Sequence, residues 1–177
     1  MNIFEMLMLS RKLAFEDGRV TLYGQGIAIF PTPSLAEHLA QMSNDPASTK
    51  LVYRMAKESM LDSKQDLINA HNASKDKNWL CEMINLYAHG AAAYEDPAKE
   101  GVIILADSPF SSSLTGKVNG PVDHIVRGLI AGIASAISNK DIDVLEIECG
   151  VDGKCKFTLG EKKNLMSKYP SIGNSQI

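Results

Sequence analysis

The chain has 177 residues, a net charge of −3, 45% hydrophobic and 22% charged residues, which is the composition of a globular protein long enough to bury a core. No basic stripe marks a nucleic-acid binder, and no apolar run approaches the roughly 20 residues needed to span a bilayer. The start of the chain lacks the basic and apolar segments of a secretory leader, so a cytoplasmic location is expected.

In chain order, residues 2–14 have the spacing of a short amphipathic helix, with Ile3, Met6, Leu7 and Leu13 near one stripe. Asp17-Gly18 forms a turn. The runs from Arg19 to Tyr23 and from Gly26 to Phe30 flank Gly24-Gln25 and predict a β-hairpin, which Pro31 and Pro33 end. Thr32 or Ser34 caps a helix through about Met42. Pro46 opens the next one, and apolar recurrence at Leu51, Met55, Met60, Leu61, Leu67 and Ile68 carries it to about His71. A further helix from Lys77 to His89 ends at Gly90.

The pattern then changes to strands. Ala91 to Glu95 and Gly101 to Ala106, around a turn at Asp96-Pro97, predict a second hairpin. Residues 107–120 are rich in Ser, Gly, Pro and Asn and are expected as a surface loop. Pro121 to Asn139 predicts an apolar helix with Val122, Ile125, Val126, Leu129, Ile130, Ile133 and Ile137 on its buried stripe, while Gly128 and Gly132 admit a close neighbour. A last hairpin carries Cys149 and Cys155, and residues 164–177 are expected as an irregular tail after one domain over 1–163.

Three cysteines, Cys81, Cys149 and Cys155, are unsuited to a fully paired disulfide framework. Strand parity puts Leu145, Ile147 and Cys149 on one face, and Cys155, Phe157 and Leu159 on one face. A three-residue loop at Val151-Asp152-Gly153 brings the two sets together and sets Cys149 opposite Cys155. Such a pair serves as two small hydrophobes, as ligands for a soft metal, or as a redox pair. Asp123 lies at the edge of the helix stripe, better aimed at the sheet than His124. A carboxylate there also suits the helix dipole, and His124 is expected at the surface. Glu146 and Glu148 point away from Cys149 in a regular strand and join it only through a bulge.

Pro121-Val122-Asp123-His124-Ile125-Val126-Arg127-Gly128, with Ala131-Gly132 and then Glu146, Cys149, Cys155 and Phe157, resembles the 4-vinyl reductase domain family over about forty residues. That family is grouped with the input domains of aromatic-sensing bacterial activators and with TRAPP vesicle-tethering subunits. The resemblance implies an α+β fold in which an antiparallel sheet built from hairpins packs against a layer of helices, as in the NO-signalling and Golgi-transport ligand-binding domains. It implies a homodimer and a pocket for a small hydrophobic or aromatic ligand; with no DNA-binding or ATPase segment in the sequence, output is expected to pass through a protein partner. It also implies a structural zinc held by Asp123, Glu146, Cys149 and Cys155. Asp123 stands where the family usually has cysteine, and His124 is the alternative to it.

Two other functions fit the same resemblance: a reductase or accessory factor for a vinyl-bearing tetrapyrrole, and a scaffold subunit. No nucleotide-binding glycine fingerprint follows a strand, so no nucleotide cofactor is expected. No hydrolase-type catalytic order stands out, which favours a non-enzymatic module.

Overall fold

The computed structural model describes residues 8–10, 12–16, 19–22, 25–27, 32–74, 79–85, 89–92, 101–114, 121–149 and 154–177. The chain divides into two compact units, Met1–Pro31 and Thr32–Ile177. The first holds three antiparallel strands in order, β1 (Leu13–Glu16), β2 (Arg19–Leu22) and β3 (Gln25–Ile27). The predicted β2–β3 hairpin is present. Leu13 belongs to a strand rather than to a helix, because Leu13–Glu16 pairs with Arg19–Leu22. Gln25, expected in the turn, pairs with Leu22 as the first residue of β3; residues 17–18 and 23–24 lie outside the described residues.

The second unit begins with α1 (Thr32–Met42), α2 (Pro46–Asp62), α3 (Lys64–Ser74) and α4 (Trp79–Ile84). Asp45 caps α2, accepting from Ala47 N at 3.1 Å and Ser48 N at 3.3 Å, and Pro46 opens the first turn. The single helix expected to His71 is broken at Ser63, whose ψ of 17° leaves the helical range. The restart lets Leu67 bury against the core at 1% exposure. His89 and Gly90, expected to end a helix, lie in β4 (His89–Ala92), where pairing of His89 with Asp107 overrides the local signal.

β4 pairs with β5 (Val102–Asp107), as the second hairpin requires, and then come α5 (Pro109–Ser113), α6 (His124–Ser138), β6 (Asp143–Cys149), β7 (Cys155–Gly160), α7 (Lys162–Lys168) and α8 (Pro170–Gln176). The sheet is antiparallel throughout, in the order β4-β5-β7-β6. Residues 108–114 are not a surface loop. Phe110 and Leu114, one turn apart, anchor α5 in the core at 9% and 3% exposure. Residues 164–177 are likewise helical where an irregular tail was expected, with Leu165 and Gln176 buried. Gln176 docks α8 on the outer strand β6: Glu146 N donates to its Oε1 at 2.9 Å and its Nε2 donates to Glu146 O at 3.0 Å.

α6 is the central element. A stripe facing one way was predicted; instead His124, Val126, Arg127, Ile130, Ala131, Ile133 and Ala134 are all buried, and Ile125 and Leu129 are only half-buried. The difference follows from burial on several sides, with α2, α3, α4 and β6 all packing against α6. Gly128 and Gly132 admit α2: an added β-carbon would meet the Tyr53 carbonyl at Gly128, and at Gly132 would fall 2.5 Å from Lys57 O. Asn139 ends the helix in the left-handed conformation at φ 53°.

Candidate metal centre

β6 and β7 pair from Asp143↔Gly160 to Glu146↔Phe157, and the register then slips so that Glu148 faces Lys156 and Cys149 faces Cys155. Ile147 is the extra residue of a bulge. Cys155 and Phe157 share a face of β7, so the bulge brings Glu146 onto the face that carries Cys149. Glu146 is therefore 3% exposed, not a member of a solvent-facing acidic row; Glu148 remains exposed. The two cysteines have Cα atoms 4.1 Å apart and their sulfurs are in contact. Residues 150–153 of the connecting loop lie outside the described residues.

Asp123 ends the segment leading into α6. It occupies the N-cap position, yet its side chain makes no capping bond. It is fully buried, and its two oxygens accept from Ser108 Oγ at 2.5 Å and Ser111 Oγ at 2.6 Å. Its backbone N–H donates to Glu146 Oε2 at 3.1 Å. Ser111 Oγ also lies 2.9 Å from Cys149 Sγ and 3.1 Å from Cys155 Sγ. One ligand atom from each of Asp123, Glu146, Cys149 and Cys155 can be chosen so that all lie within 4.8 Å of one another. A first-row ion with bonds of about 2.0–2.3 Å spans ligand pairs up to roughly 4 Å apart, so closing the group on one ion requires the two touching sulfurs to part and the wider pairs to draw in.

Two observations test whether these residues suit a cation. Glu146 Oε1 is buried without a hydrogen-bond partner, a cost that an ion would remove. Burial and the neighbouring Asp123 carboxyl push Glu146 well above the usual carboxylate range, and burial raises Asp123 against the pull of its serine hydrogen bonds. Acidic donors gathered away from water need a positive charge to ionise. Two sulfurs with two carboxylate oxygens make a donor set compatible with zinc. The same sulfurs are placed to form a disulfide, and the two states exclude each other because a metal needs thiolates.

His124 faces elsewhere. It is 1% exposed rather than at the surface, and both ring nitrogens are engaged. Arg127 Nε donates to Nδ1 at 3.3 Å, which leaves the proton on Nε2, 2.8 Å from Ser43 Oγ. Burial, reinforced by the charge of Arg127, lowers its pKa to about 3. Both His124 nitrogens are thus committed to Arg127 and Ser43.

Arg127 was not singled out from sequence, although it is fully buried. It stacks 4.3 Å over the Tyr53 ring and donates to Gln176 O at 2.9 Å, joining α2, α6 and α8. Below it, Tyr53 and Lys57 donate to Asp143 Oδ1 at 2.6 and 2.8 Å and fix the start of β6. Ser108 and Ser111 were also missed within a serine-rich segment. Ser108-Pro109, a helix-start pair followed by apolar Phe110 and Leu114, is the signal that could have found them.

The fold is similar to that of a solved structure, the phenol-responsive sensory domain of the transcription activator PoxR with phenol. The TM-score is 0.71 at 16% identity, covering 96% of this chain and 94% of that one. A trafficking protein particle complex subunit 3 from Naegleria fowleri, covalently bound to palmitic acid, aligns with TM-score 0.46 and 12% identity over 72% of this chain and 93% of that one. No family model and no curated protein matches the sequence. The PoxR likeness establishes the α+β class, an antiparallel sheet packed against helices. Among the described residues, no helix is long and apolar enough to cross a membrane.

Proposed function

We propose that this chain is a sensory or carrier module of the 4-vinyl reductase domain kind. It binds a small hydrophobic or aromatic molecule, keeps a structural zinc on Asp123, Glu146, Cys149 and Cys155, and acts as a homodimer through a protein partner. One observation carries the reading: among the described residues, two buried side-chain polar atoms have no hydrogen-bond partner, Glu146 Oε1 and Trp79 Nε1. The first sits in the four-donor group and calls for a cation. The second is an indole N–H on α4, at 1% exposure and edge-to-face with His71 at 5.3 Å; it calls for an acceptor such as a ligand hydroxyl. The phenol bound by the domain of similar fold is a molecule of that kind. Zinc would supply a fixed cross-link between the α6 entry and the β6–β7 hairpin. The homodimer would place Leu51 and Met55, one turn apart on α2 and 48% and 61% exposed, at its interface.

The test uses the single tryptophan of the chain. Titration with phenol and alkylphenols should change Trp79 fluorescence saturably in the zinc-loaded protein, and Phe at position 79 (Trp79→Phe) should weaken binding measured by calorimetry. Metal analysis of reduced protein should give one zinc per chain, with Cys149→Ser losing it. A protein that retains no zinc and gives no saturable fluorescence response with any phenol or lipid-like compound would overturn the proposal.

A further inference from the structure

The serines of α5 differ in what they bond. Ser112 Oγ donates to Ser108 O at 2.6 Å and Ser113 Oγ to Pro109 O at 2.7 Å, both within their own segment. Ser108 and Ser111 instead leave the helix for Asp123. Ser108 is the N-cap of α5 and Asp123 the N-cap of α6, and neither side chain caps its helix. Both residue types are strongly preferred for capping. Here two adjacent helix starts forgo the cap bond and their side chains bond each other, fully buried.

A carboxylate has two equivalent oxygens and rotates about its last bond. Buried without support, it would not present one oxygen reliably to a neighbouring ion. The Asp123 carboxylate here accepts the two hydroxyls and a backbone N–H of Ser111, and its remaining lone-pair direction is left for another partner. The Ser111 oxygen, between the carboxylate and both sulfurs, ties the helix entry to the cysteine hairpin.

We infer that Ser108 and Ser111 are positioning residues that preorganise the metal site, holding the Asp123 carboxylate in register with the cysteine pair before an ion arrives. This rests on the metal reading above. Outer partners of metal ligands fix ligand orientation, and their loss typically costs about 10–100-fold in metal affinity.

The experiment is competition titration of the reduced full chain with Zn²⁺, and with Co²⁺ as a spectroscopic probe. The variants are Ser108→Ala, Ser111→Ala, their combination and Ser111→Thr, with folding checked by far-UV circular dichroism. The expected result is a loss of about tenfold or more in affinity for the alanine variants, a changed visible Co²⁺ spectrum, and recovery with threonine, which restores the hydroxyl. If the double variant does not fold, Ser108→Ala decides, since the Ser108 hydroxyl bonds Asp123 and not the cysteine sulfurs. Wild-type protein that binds metal alongside alanine variants of equal affinity and spectrum would overturn the inference and leave the metal reading intact. Reduced wild-type protein that binds neither ion would overturn both.

Discussion

Glu146 is expensive in the metal-free chain. Its carboxyl is buried beside that of Asp123, and one oxygen has no partner. Glu146→Gln keeps the shape and removes the acid. The metal-free variant should therefore melt no lower than wild type in the presence of a chelator, even though a ligand has been lost. With zinc the order should reverse, because an ion at 100 times its dissociation constant adds about 2.7 kcal/mol to the folded state, and the variant forfeits most of it. Paired melts with chelator and with zinc check both signs. A large loss of stability in chelator would show that Glu146 holds the fold by some other means.

Among the elements, α6 and α8 carry the arrangement. At Gly132 an alanine β-carbon would lie 2.5 Å from the carbonyl of Lys57, a backbone atom that cannot turn aside. Helix propensity favours Ala over Gly by about 1 kcal/mol, whereas overpacking a core costs roughly 1–3 kcal/mol. Gly132→Ala should thus be net destabilising in urea unfolding; a stabilised variant would mean that α2 and α6 are farther apart than described. At the other end, Gln176 pairs with both backbone groups of Glu146 like a short strand. Gln176→Ala leaves those groups to find other partners at a cost of roughly 1–3 kcal/mol, and hydrogen exchange at Glu146 N–H should quicken. No change in exchange at that amide would contradict the docking of α8.

Over the whole molecule, the parts readable from sequence were those with local signals. The β2–β3 hairpin, the Asp45-Pro46 helix start and the β4–β5 pair follow from local signals; Cys149 does face Cys155, but simple alternation misplaced Leu145, which pairs with Thr158 rather than sharing the cysteine face. What escaped depended on distant partners. The Ile147 bulge that turns Glu146 inward is invisible to strand parity. Arg127 is buried because Tyr53, Gln176 and His124 converge on it from other elements. The α5 serines look like loop residues until Asp123 arrives opposite them. The site is thus assembled by the tertiary fold from four segments, of which the one carrying Ser108 and Ser111 lies outside the motif.

The most direct measurement is X-ray absorption at the zinc edge of the reduced, zinc-loaded protein. One bound zinc with two sulfur and two oxygen scatterers, and no imidazole signature, is the predicted result. A shell containing histidine nitrogen, a single sulfur or oxygen alone would contradict it, as would reduced protein that takes up no zinc.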